Sequence, residues 1–87
     1  MSYRIEFLAS AEREFLKLPT ADRQRTGQRI GALAENPRPP GCLKLSGQGN
    51  LWRIRVGVCR VIYSIEGVSR IVAVVKVAHR KESYRGR

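Results

Sequence analysis

Between residues 51 and 78 the chain holds three runs rich in Val, Ile, Trp and Tyr, at 51–56, 58–65 and 70–78, broken only by short glycine-containing turns. Runs of that length and composition so closely spaced predict a β-meander. The alternation within them also sets a pairing. A two-residue turn at Gly57-Val58 places Val56 opposite Cys59, Arg55 opposite Arg60, Ile54 opposite Val61, Arg53 opposite Ile62 and Trp52 opposite Tyr63. Trp52, Ile54 and Val56 then share one face with their apolar partners, and the arginines share the other. A three-residue turn at Gly67-Val68-Ser69 would set Glu66 opposite Arg70, Ile65 opposite Ile71, Val61 opposite Val75 and Arg60 opposite Lys76. Sliding the strands by one residue moves every side chain to the other face, burying arginine, so this register is the expected one.

The register predicts a cationic row, Arg55–Arg60–Lys76, across three strands, with Arg53 beside it. Directly opposed like charges cost a sheet a few tenths to about 1 kcal/mol each. Solvation of an exposed sheet face could account for basic residues there, but the overall charge distribution points further. The chain carries 17 Lys+Arg against 7 Asp+Glu, a net charge of +10. Residues 1–43 contribute +2, and residues 44–87, with Glu66 and Glu82 their only acids, contribute +8. Polyanions are the expected partners: nucleic acid first, then an acidic protein, then an anionic membrane.

The first half predicts one strand and a helical hairpin. Residues 3–8 alternate, with Tyr3, Ile5 and Phe7 on one face. Ser10 offers an N-cap, and Ala11, Phe15 and Leu18 form the buried stripe of a helix that Pro19 stops. Thr20 or Asp22 starts a second helix with Ile30, Leu33 and Ala34 facing inward. Gly27 and Gly31 would let it approach its neighbour closely, and the stretch from Asn36 to Gly41 ends it. The order is β-α-α-β-β-β: an α+β domain, its helical hairpin packed on a mainly antiparallel four-stranded sheet. Eighty-seven residues make a single domain, 1–87, with a small core.

The charged, alternating N-terminus predicts no export signal, hence a cytoplasmic protein with reduced thiols. Cys42 and Cys59 lack CxxC spacing and stand with one histidine, so no metal and no cofactor is expected. No helix combines a basic face with a strongly apolar one, which argues against membrane binding.

The C-terminal residues Ala78-His79-Arg80-Lys81-Glu82-Ser83-Tyr84-Arg85 leave the last strand beside the predicted row. His79 can give and take a proton near neutral pH, although a lone histidine at a strand end is more often structural. Several segments together carry a resemblance: Tyr3-Arg4-Ile5-Glu6-Phe7, Lys17-Leu18-Pro19, Asn36-Pro37, Lys44-Leu45-Ser46-Gly47, Trp52-Arg53-Ile54-Arg55-Val56-Gly57, Arg60-Val61-Ile62-Tyr63, Val77-Ala78-His79-Arg80 and Tyr84-Arg85. In that order they resemble the type II toxins of the RelE/ParE superfamily, and within it the RelE-like mRNA interferases.

The resemblance implies a RelE-like, barnase-like ribonuclease fold. It also implies ribosome-dependent, metal-independent cleavage of mRNA in the A site, and neutralisation by a cognate antitoxin. The positive charge predicts an acidic toxin-binding segment in that antitoxin; the resemblance implies that this segment is partly disordered and that the toxin alone is a monomer. By position, Arg60 matches the phosphate-binding arginine, and Arg80 and Tyr84 match a C-terminal pair used in catalysis and base stacking. With His79 these are the candidate catalytic residues. Lys44, Arg53, Arg55, Lys76, Lys81 and Arg85 are the candidate RNA-binding residues. Ser46 departs from the pattern, being basic in some ribosome-dependent members. The expected chemistry is attack by a ribose 2′-OH on the adjacent phosphate, with arginines stabilising developing charge and His79 as general acid or base. Glu82 is the only candidate carboxylate nearby in sequence. The rival readings are a ParE-like inhibitor of DNA gyrase and a plain basic RNA-binding module.

Overall fold

A computed structural model describes residues 2–47 and 49–80; Lys81, Tyr84 and Arg85 lie outside the described residues. The elements are β1 (Arg4–Phe7), α1 (Ala9–Leu16), α2 (Thr20–Ala32), β2 (Leu43–Lys44), β3 (Leu51–Val56), β4 (Cys59–Glu66) and β5 (Ile71–His79). One sheet holds all five strands in the order β1-β5-β4-β3-β2, with β1 parallel to β5 and the other pairs antiparallel. The expected α+β architecture is present with five strands rather than four. The addition is β2, in which Leu43 pairs with Arg53 and Lys44 with Trp52. Two residues are too few to show a strand period.

The β3–β4 hairpin has the expected register throughout, from Val56↔Cys59 to Trp52↔Tyr63. Gly57 supplies a positive φ of 61° at the first turn position, a conformation an L side chain resists. The β4–β5 pairing differs from expectation. Arg70 joins the turn in the left-handed region, φ 57°, so Glu66 faces Ile71 and Ile65 faces Val72. A bulge at Val75 of β5, opposite the consecutive β4 residues Ile62 and Tyr63, then advances the register again, with Tyr63↔Val74 followed by Ile62↔Lys76 and Val61↔Val77. Residues 71–75 are apolar on both faces, so their pattern does not choose a parity. The slip sends Val72 and Val74 into the core, and the bulge restores the phase so that Val77 joins them.

Both helices cover the same sheet face. Ala11, Leu18, Ile30 and Leu33 pack with Ile54, Val56, Cys59, Val61, Tyr63, Ile65, Val72, Val74 and Val77 in one core. Phe7 and Phe15 meet at 5.6 Å between ring centroids, joining β1 to α1. An added Cβ at Gly27 would sit 3.3 Å from the Phe15 ring, so this glycine does allow close approach; Gly31 faces open space and does not serve that purpose. Leu8 is the N-cap of α1, and Ser10, expected there, lies within the helix. Tyr63 is wholly buried and its hydroxyl donates to the Pro37 carbonyl at 2.7 Å, tying the segment after α2 to the sheet. Burial pushes that phenol up to about 12. Asn50 Nδ2 donates to the Ile65 carbonyl across the other end of the hairpin.

Candidate RNA interface and the end of the sheet

Arg55 and Arg60 are direct cross-strand partners on the face opposite the core, with Arg53 two residues along the same face. No helix packs on that face among the described residues, since the buried residues of both helices belong to the core on the other side. Arg55 is exposed, while Arg53 and Arg60 are half-buried. The Arg53 Nε is covered and has no hydrogen-bond partner among the described residues. Three guanidinium groups within two strands make a surface suited to phosphate oxygens, which planar forked donors bind in pairs.

The corrected β4–β5 register removes Lys76 from the predicted row. Ala78, not Lys76, stands beside Arg60, and Lys76 lies beside Ile62. Its ammonium group instead binds Glu14 Oε2 of α1 at 2.9 Å, while Glu14 Oε1 accepts the Val77 backbone N–H at 2.8 Å. The parallel partner β1 has ended by this point, at Phe7 opposite Val74, so Val77 would otherwise present an unmet donor on the edge of β5. Burial alone would raise the Glu14 pKa; the Val77 and Lys76 bonds overcome it and hold the carboxyl below its ordinary value.

Lys44 also leaves the group. It pairs with Trp52 and lies over its ring, 5.8 Å from the centroid, with the Arg38 guanidinium 5.1 Å from the same ring. His79 pairs with the buried Cys59 and therefore turns toward the helices, not toward Arg55 and Arg60. Its Nε2 lies 3.1 Å from Asp22 Oδ2 at the start of α2. Arg80 follows, exposed, and its backbone N–H donates to the Val58 carbonyl at 2.8 Å. The chain leaving β5 is thereby pinned against the β3–β4 turn, close in sequence to Arg60.

The fold thus gathers Arg53, Arg55 and Arg60, anchors Arg80 near them, and sets Lys44, Lys76 and His79 apart. Asp22, Glu14 and Arg38 were not foreseen. Asp22 reads from the sequence only as a carboxylate suited to a helix start, and nothing in the sequence joins it to a histidine 57 residues away. Cys59 is the third member of that group. Burial pushes its thiol up, the Asp22 carboxylate adds to the rise, and Thr26 and Arg25 oppose it.

Residues 5–84 match the family described as the ParE toxin of the type II toxin–antitoxin system, parDE. A RelE-like toxin protein of Escherichia coli is 29% identical over 85 residues, covering 95% of this chain and 88% of that protein. The RelE–RelB complex of Pyrococcus horikoshii contains a similar chain, 29% identical, with a TM-score of 0.80, covering 92% of this chain and 97% of that one. The isolated Escherichia coli RelE toxin is 25% identical with a TM-score of 0.80, covering 98% and 94% respectively.

Proposed function

The chain belongs to the ParE toxin family of type II toxin–antitoxin systems, within the RelE/ParE superfamily, and we propose that it acts as a ribosome-dependent mRNA endoribonuclease. The observation that carries this reading is the Arg55–Arg60 pair on the helix-free face, with Arg53 alongside. Three guanidinium groups gathered on one face offer planar, forked donors that suit the phosphate oxygens of an RNA backbone.

The proposed step is in-line attack of a ribose 2′-OH on the neighbouring phosphorus. The P–O2′ bond forms as the P–O5′ bond breaks, the 2′-OH proton passes to water and the departing O5′ takes one from water, leaving a 2′,3′-cyclic phosphate and a 5′-hydroxyl. RNA brings its own nucleophile, so the protein's contribution is geometry and charge. Arg60 and Arg55 stabilise the negative charge that grows on the phosphate oxygens. Arg80 assists the leaving oxygen, Tyr84 stacks on a base, and Arg53, Lys81 and Arg85 hold flanking phosphates. Lys44 and Lys76, committed to Trp52 and Glu14, serve at most the outer electrostatic field. His79 faces Asp22 on the helix side, and in this arrangement it takes no proton-transfer step. Positioning of the RNA by the ribosome compensates for an incomplete acid–base pair.

The partner proposed for the free toxin is a cognate antitoxin whose acidic, partly disordered segment covers the cationic surface. The RelE–RelB complex of the archaeal relative supports such a partner. The family match itself favours a second reading, inhibition of DNA gyrase in the manner of a ParE toxin. That activity has no evident need of paired arginines on an open sheet face.

The two readings separate in one experiment. Purified protein is added to a translating extract, mRNA 5′ ends are mapped, and gyrase supercoiling is assayed in parallel. Codon-registered cuts with normal supercoiling support the nuclease. Intact mRNA with supercoiling blocked would sink it.

A further inference from the structure

We propose that Asp22, Cys59 and His79 form a binding site for a zinc-class divalent cation that clamps the start of α2 to the end of the sheet. This site is independent of the nuclease reading. The sequence spacing argued against a zinc site built on both cysteines. The fold instead unites one cysteine, the single histidine and an aspartate from three separate elements.

The ligand atoms all lie within 4.8 Å of one another, and Asp22 Oδ2 and His79 Nε2 are already 3.1 Å apart. Zinc bonds of about 2.0–2.3 Å in a tetrahedron bring ligand atoms to roughly 3.3–3.8 Å from each other. Closing the set therefore takes a shift on the order of 1 Å, within the reach of side-chain rotation. The ligands stand on regular elements: Asp22 in the first turn of α2, Cys59 opening β4 and His79 ending β5. Cys59 and His79 are direct cross-strand partners, so their spacing is set by the sheet.

A thiolate, an imidazole and a carboxylate suit zinc, and cobalt as its spectroscopic substitute, rather than magnesium or calcium, which take oxygen ligands. Cys59 is only 1% exposed and His79 and Asp22 are largely covered, so water competes poorly for the ligands. Thr26 gives an independent sign of a polar site here. It lies one turn beyond Asp22 on α2, wholly buried. Its hydroxyl abuts the Cys59 sulfur yet has no hydrogen-bond partner of good geometry among the described residues. A fourth ligand, water held by that hydroxyl, completes the tetrahedron. On binding, the Cys59 S–H bond breaks, an S–metal bond forms, and the proton leaves to solvent. His79 binds through neutral Nε2, so any proton shared with Asp22 leaves as well.

The test uses the untagged full-length protein under reducing conditions, carrying Cys42→Ser to remove the other thiol. Titration with Co²⁺ is expected to give a thiolate-to-cobalt charge-transfer band and tetrahedral d–d bands that saturate near one equivalent and disappear on adding Zn²⁺. Adding Asp22→Asn or His79→Ala should weaken binding at least tenfold, and adding Cys59→Ser should abolish the charge-transfer band. Because Cys59→Ser sits in the core and risks misfolding, Asp22→Asn, which keeps the size of a partly covered side chain outside the apolar core, is the decisive variant. Zn²⁺ should also raise the melting temperature of the Cys42→Ser protein and leave that of the Asp22→Asn derivative unchanged. Absence of the thiolate band once Cys42 is gone, or unchanged cobalt affinity with Asp22→Asn, overturns the proposal.

Discussion

Glu14→Gln tests how the β5 edge is held where β1 ends. The wild-type carboxylate accepts one bond from the Val77 N–H at 2.8 Å and one from Lys76 at 2.9 Å. The amide keeps one oxygen for Val77 but loses its charge, and a charge-assisted bond exceeds a neutral one by about 1 kcal/mol. The Lys76 side chain is 54% exposed, so losing that ion pair adds a few tenths to about 1 kcal/mol. The sum is about 1–2 kcal/mol, or roughly 5–15 °C in melting temperature for a domain of this size. The effect must depend on pH. Despite burial, the Val77 and Lys76 bonds hold the folded pKa of Glu14 below its ordinary 4.5. Its contribution is therefore complete above the unfolded value and is lost as pH falls through the folded one. Melting followed by circular dichroism should show a clear gap between wild type and variant at neutral pH that narrows as the pH falls below the ordinary 4.5 of the carboxyl. A gap that is absent at neutral pH, or constant across that range, refutes the reasoning.

Three further substitutions probe the scaffold and its charged face. Tyr63→Phe strands the Pro37 carbonyl and should cost about 1–3 kcal/mol by urea denaturation. Gly57→Ala forces a methyl group into φ 61° and to 3.0 Å from Arg25 Nη1; a loss of about 1–2 kcal/mol in the same assay is expected. Arg55→Glu replaces a like-charge pair with an opposite one and should stabilise the protein by up to about 1 kcal/mol. The same change should lower RNA cleavage at least tenfold, and a variant both less stable and fully active would contradict the assignment of that face.

The β3–β4 hairpin was legible because arginines alternate with large apolar residues on both strands and Gly57 marks the turn. Each wrong register there would bury a guanidinium. The neighbouring strand carried no such constraint: residues 71–75 are apolar on both faces, Arg70 adopts a left-handed conformation unusual for its type, and no local pattern marks the bulge at Val75. The slip at the turn and the bulge together displace Lys76 by two residues, from the expected place beside Arg60 to one beside Ile62. The Arg53, Arg55 and Arg60 grouping survived because it depends only on the hairpin. The Asp22–His79 pair depends on how α2 crosses the end of the sheet, which composition and periodicity along one chain do not encode. The relation of His79 to Arg60 was misjudged for the same reason. Residues adjacent along a strand end point to opposite faces, so nearness in sequence to Arg80 did not place His79 on the arginine face.

The most direct test of the RNA reading is cleavage, in a translating extract, of a message carrying one 2′-deoxynucleotide 5′ to the mapped cut. The proposed chemistry predicts that this single missing oxygen abolishes the cut. It also predicts that the all-ribose message yields a 2′,3′-cyclic phosphate and a 5′-hydroxyl, and that Arg60→Ala lowers cleavage sharply without loss of fold. Cleavage that persists at the deoxy position, or survives unchanged in Arg60→Ala, would contradict it.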